Sequence, residues 1–165
     1  MGNENWGNEA FFCDECGEIF RSPLFCVTRA FECMHFYEAP RQPEAEVTFA
    51  DAIANYCSSE CLNKNRDRIL ERDGVKLTFP GPGPIELCSR CGSPVDMTCF
   101  HKTWSEEESI CCWGESLSSI QPLNVQLLAV ACQGCEASPN AIGASEEIAS
   151  TKGRHLNALL DKSEV

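Results

Sequence analysis

Cys13-Asp-Glu-Cys16-Gly17 and Cys88-Ser-Arg-Cys91-Gly92 are two C-x-x-C-G turns, and a second cysteine pair follows each one much later in the chain. Such a turn aims two sulfurs and several backbone N–H groups at one point, and the glycine supplies the positive φ it needs. The later pairs are Cys57 with Cys61, spaced C-x-x-x-C, and Cys132 with Cys135, spaced C-x-x-C. Turn plus pair gives four thiolates, the ligand set of structural zinc, so two Zn²⁺ ions are expected. A redox dithiol at Cys88 and Cys91 would call for a βαβ pattern that the flanking sequence lacks.

Seven further residues leave additional metal chemistry open. Positions i and i+2 of a strand share a face, so Cys99 and His101 can chelate together, with Cys111 or Cys112 completing a third zinc site. Cys26, Cys33 and His35 would make a fourth only by borrowing a ligand. The alternative is that all seven are small core residues and hydrogen-bonded histidines. Zinc-hydrolase, deaminase, nucleophile-elbow and phosphate-loop motifs do not occur, so the chain reads as non-enzymatic with no small-molecule substrate.

Composition fits a metal-built fold. The chain has 165 residues, 13 of them cysteine, and a net charge of −12. With the cysteines set aside, the apolar content is thin for one large core, and small cores need staples. An odd cysteine count rules out complete pairing as disulfides. The first residues show no secretory leader and no apolar run approaches ~18 residues, so a cytoplasmic location with reduced thiols and no membrane partner is expected.

The negative charge opposes a general grip on nucleic-acid phosphates. Residues 63–80 reverse the sign, with Lys64, Arg66, Arg68, Arg72 and Lys76 interleaved with Asp67, Glu71 and Asp73. The first four basic residues lie on an expected helix and could meet phosphates or form a solvated face. The acidic run Glu106, Glu107 and Glu108, near Trp104 and Trp113, offers a partner contact, a nucleic-acid mimic or a solvated loop.

The elements that must carry these residues divide the chain into five parts. These are a loose 1–10, a first zinc module at 11–79, a Pro/Gly linker at 80–84, a second module at 85–137 and a polar tail at 138–165. Residues 58–72 read as a helix, capped by Ser58 or Ser59 and stopped at Gly74, with Leu62, Ile69 and Leu70 inward. Residues 75–79, 96–104 and 125–132 read as strands. The tail carries a weak helical stripe of Leu156, Leu159 and Leu160. Both modules run C-x-x-C-G, then C-x-H (Cys33-Met-His35, Cys99-Phe-His101), then a cysteine pair, which leaves an internal repeat open.

The pattern C-x-x-C-G-x-I-F at 13–20, followed by Y-C-S-x-x-C at 56–61, resembles the short treble-clef zinc fingers of the TRASH and MYM type. The resemblance implies treble-clef zinc geometry and a role in metal sensing or protein–protein contacts. The facing cysteine pairs of the second module suggest a zinc ribbon with an insertion. The expected fold is therefore a small metal-stabilised α+β protein, a treble clef plus a zinc-ribbon-like module, with few short strands and one or two helices. The expected function is a non-enzymatic adaptor or regulatory protein that binds another protein, within a nucleic-acid-handling complex. Alternatives are direct nucleic-acid binding through 63–76, an acidic inhibitor covering a nucleic-acid-binding surface, and metal sensing.

Overall fold

A computed structural model describes residues 10–135. The expected loose N-terminus, except its last residue, and the expected C-terminal tail lie outside the described residues. The elements are β1 (Phe11–Phe12), β2 (Ile19–Phe20), β3 (Leu24–His35), β4 (Glu44–Tyr56), α1 (Ser59–Arg72), β5 (Ile85–Leu87), β6 (Pro94–Asp96), β7 (His101–Trp113) and β8 (Leu117–Ala131). The protein is mostly β, with one helix among the described residues. None of these residues forms a helix long and apolar enough to cross a membrane.

The expectation of few short strands is corrected. Four strands of 12 to 15 residues form one antiparallel sheet in the order β4-β3-β7-β8. Residues 44–49 of β4 and 121–126 of β8 are solvent-exposed on both faces, so they lack the apolar alternation that marks a half-buried strand. The acidic run is not a loop but the middle of β7, where Glu106 pairs with Val27 on one side and Gln126 on the other. A central strand places its backbone groups in two ladders, and alternation sends Glu106 and Glu107 to opposite faces.

Residues 75–79 do not form the expected strand. Phe79 adopts a left-handed φ of 45°. The Thr78 and Phe79 N–H groups both donate to the Leu128 carbonyl, while Lys76 N–H donates to Ser89 Oγ. These bonds make the segment a strap across the end of β8. The expected strand at 96–104 is divided between the end of β6, a turn and the start of β7, whereas 125–132 covers the last part of β8 and Cys132.

The helix follows expectation closely. Ser58 caps it by accepting from Cys61 N–H at 3.2 Å, and Gly74 (φ 70°) follows its C-cap. Leu62, Ile69 and Leu70 are buried, as is Asn65, which accepts from Tyr56 Oη at 2.7 Å and donates to Glu15 at 2.9 Å.

Offsetting the chain by 75 positions superimposes cysteine on cysteine (13 on 88, 16 on 91, 57 on 132). Hydrogen bonds follow the same offset. Cys13 N–H donates to Glu18 O and Cys88 N–H to Ser93 O, both at 2.8 Å. Asp14 N–H donates to Asn55 O and Ser89 N–H to Val130 O, again both at 2.8 Å. Each half is a short hairpin bearing C-x-x-C, then a long hairpin, then a cysteine pair. The equivalent strands β3 and β7 lie side by side, with Arg29 opposite Trp104, themselves 75 positions apart. A local two-fold axis therefore passes between these two residues.

The core sits between the sheet and α1, and Trp104, 1% exposed, is its largest fully buried side chain. Expected at a partner surface, Trp104 instead donates from Nε1 to Asp73 Oδ2 at 2.8 Å. The same carboxylate meets Arg29 at 3.2 Å, and Arg29 also pairs with Asp51 at 3.1 Å. Asp73, at the end of α1, thus ties both central strands together where the local two-fold passes.

Candidate metal centres and a groove on the sheet

The C-x-x-C of the first half lies between β1 and β2, and that of the second between β5 and β6. In each turn the glycine N–H closes back on the first cysteine carbonyl, Gly17 at 3.0 Å with φ 78° and Gly92 at 2.8 Å with φ 73°. Cys57 ends the long β3–β4 hairpin and Cys61 lies in the first turn of α1; Cys132 follows β8, and Cys135 closes the turn beyond it.

The four Sγ atoms of Cys13, Cys16, Cys57 and Cys61 lie within 4.8 Å of one another, as do those of Cys88, Cys91, Cys132 and Cys135. Tetrahedral zinc with Zn–S bonds of about 2.3 Å separates its sulfurs by about 3.75 Å. The Sγ separations are 3.6 Å for Cys16–Cys57 and 3.8 Å for both Cys57–Cys61 and Cys91–Cys132. The residues present fit two metal ions, with zinc the natural choice for four thiolates.

Electrostatics repeat between the clusters. Burial alone would push the Cys13 thiol up, but backbone N–H groups of Cys16, Cys57 and Glu15 outweigh it and bring the thiol down to about 6. Cys88 is likewise lowered to about 6, where N–H groups of Cys91, Cys132 and Arg90 overcome burial. Burial and neighbouring thiols push Cys57 and Cys132 up to about 12. The first cysteine of each cluster favours the thiolate, joined in the second by Cys91, which hydrogen bonds from Ser93 also lower, and a bound cation's charge then favours ionisation of the others.

Comparisons with family models, curated proteins and solved structures give no match.

The expected third site does not assemble, and of the expected fourth Cys33 and His35 come together with a borrowed ligand while Cys26 stands apart. Cys99 and His101 stand at one end of β7 and Cys111 and Cys112 at the other, ten residues or about 33 Å along the strand. Buried Cys111 instead packs with Cys26 and Leu24, and burial, then Cys112, pushes its thiol up to about 11. Burial, followed by Glu107 and Cys111, pushes Cys26 up as well. His101 is buried; its Nδ1–H donates to the Cys99 carbonyl at 2.8 Å, leaving buried Nε2 without a hydrogen-bond partner.

The two C-x-H pieces nevertheless come close, because Glu32 of β3 lies opposite His101. At that end of the sheet Cys33, His35 and Glu46 converge. Sequence reasoning had the first two residues but not Glu46, whose place comes only from cross-strand register.

Arg66 meets Glu106 at 2.7 Å and Arg68 meets Glu15 at 3.2 Å, so these two basic helix residues are engaged within the fold. Lys64 is exposed on α1, and Arg72 lies in its last turn. Trp113 packs edge-on against Phe11 at 5.4 Å and donates to the Arg21 carbonyl, while Glu108 lies opposite Phe25.

On the sheet face opposite α1 runs a groove of about 500 Å³, walled by small and apolar residues such as Ala30, Met34, Ala50 and Leu127 and bordered by Gly81, Pro82 and Gly83. Glu32 and Glu107 also line it, and no lysine or arginine does; Asp51 borders it too, but its carboxylate pairs with Arg29 on the α1 side of the sheet. Burial holds the Glu32 and Glu107 carboxyls above the usual carboxylate range. Sequence reasoning named only Glu107 of the two; alternation along an unrecognised β3 was the signal that could have found Glu32.

Proposed function

We propose that the protein is a non-enzymatic adaptor, stapled by two structural zinc ions, that holds an extended segment of a partner protein in the sheet groove. The carrying observation is the groove itself, apolar along its walls and offering the carboxylates of Glu32 and Glu107 with no lysine or arginine. That chemistry suits a peptide with apolar side chains around an arginine or lysine, whose charge would match the desolvated carboxylates. It repels phosphate, so nucleic-acid binding at this face is disfavoured.

In this reading the first cluster is a treble clef, with a C-x-x-C turn and ligands at a helix start, and the second is zinc-ribbon-like. A structural zinc site is worth about 10–16 kcal/mol in peptide systems. Two such staples would keep the sheet rigid, so little ordering cost falls on binding at the groove.

Selection of a displayed random-peptide library on the immobilised zinc-loaded protein tests this. Enriched peptides should carry a basic residue between apolar ones and lose binding to Glu107→Lys. Enrichment that is indifferent to Glu107→Lys and Glu32→Lys would overturn it.

A further inference from the structure

We propose that Cys33, His35 and Glu46 form a third metal site, a zinc-class centre with three protein ligands and one coordination position open to solvent. Cys33 and His35 project from the same face of β3. The register shift after Phe31 then sets Cys33 opposite Glu46 of β4. His35 Nε2 lies 2.9 Å from Glu46 Oε2 and 4.0 Å from Cys33 Sγ, and Cys33 Sγ is 3.8 Å from the same carboxylate oxygen.

Convergence on one ring nitrogen separates this arrangement from a thiol nucleophile. A relay needs the nucleophile on one imidazole nitrogen and the orienting carboxylate on the other. Here Nε2 faces both partners, as ligands around a common ion do. Tetrahedral zinc would set sulfur about 3.5 Å from the nitrogen and the oxygen, and nitrogen about 3.3 Å from oxygen. Adjustments of about half an ångström achieve this, and the His35 and Glu46 side chains, 49% and 57% exposed, are free to make them. Buried Cys33 anchors the site. One sulfur, one nitrogen and one oxygen suit zinc over the hard cations magnesium and calcium.

Exposed Cys99, in the turn before β7, lies outside the three-residue cluster, so the fourth position falls to water or to an incoming ligand. A three-ligand exposed site holds metal less tightly than a closed four-thiolate site. The third ion should therefore leave first.

The test is zinc stoichiometry of the full chain, by elemental analysis after equilibration with zinc, followed by a weak chelator. Wild type should bind three equivalents and surrender one to the chelator with its far-ultraviolet circular dichroism unchanged. Glu46→Gln and His35→Gln, both exposed and tolerable to the fold, should bind two, and Cys99→Ser should bind three. Two equivalents in wild type, three in both Glu46→Gln and His35→Gln, or two in Cys99→Ser would each overturn the assignment.

Discussion

Asp73→Ala removes the carboxylate that joins the two central strands, and its cost can be worked from the geometry. Trp104 Nε1, at 2.8 Å from Asp73, would be left buried without an acceptor, a loss of about 1–3 kcal/mol. Arg29 keeps Asp51 at 3.1 Å and its side chain is 27% exposed, so the broken ion pair adds only about 1 kcal/mol. Backbone bonds at the helix C-cap, from Asp73 N–H to the Ile69 and Leu70 carbonyls, survive the substitution, as does the Arg90 bond to the Asp73 carbonyl. The total is about 2–4 kcal/mol. Asp73→Asn keeps an oxygen for Trp104 and should lose only about 1 kcal/mol. Urea unfolding of the zinc-loaded protein, followed by tryptophan fluorescence with zinc content measured in parallel, reads both values. Equal losses for the two variants, or a loss below about 1 kcal/mol for Asp73→Ala, would refute the bridging role.

Cys16→Ser and Cys91→Ser should each lower zinc stoichiometry by one equivalent, because each removes a ligand from a different cluster; elemental analysis checks this. Glu107→Gln should stabilise the protein at neutral pH while weakening peptide binding, a divergence that paired urea titrations and binding isotherms would show. Its sign follows from the raised folded-state value of Glu107. The stability linked to the protonated carboxyl is complete below the unfolded-state pKa and is lost as pH rises through the folded one, so variant and wild type should converge in acid. Taking their difference at each pH cancels thiol protonation common to both. Arg66→Met should destabilise by about 1–3 kcal/mol, since it strands Glu106 in a partly buried ion pair, and Glu106→Gln in the same chain should recover part of that loss.

The local chemistry of this chain was legible in its sequence, whereas the long-range pairing was not. Both cysteine tetrads, the Ser58 cap, the Gly74 stop and the inward Leu62, Ile69 and Leu70 follow from spacing and side-chain type within a few residues. β4 and the first part of β8 escaped because residues 44–49 and 121–126 are exposed on both faces and carry no alternation, while the full length of β3 and β7 comes from neighbours paired on both sides. Glu106 to Glu108 looked like a loop because nothing local announces that two neighbouring strands will satisfy its backbone. Glu46 and the groove carboxylates depend on register across strands, which sequence spacing does not encode. Trp104 was misplaced for a related reason: its indole N–H is satisfied by Asp73, 31 positions away.

The side-by-side placement of β3 and β7 makes this chain two halves that pair with each other within one polypeptide. Separated, each half would present a bare strand of 12 or 13 residues, an open template for aggregation. Covalent linkage through residues 73–84 turns that association into an intramolecular event, with an effective concentration in the range of millimolar for a short connection. Closure of the sheet is thereby independent of how much protein the cell makes. The Pro-Gly-Pro-Gly-Pro segment acts as a tether that keeps two mutually dependent halves in permanent company.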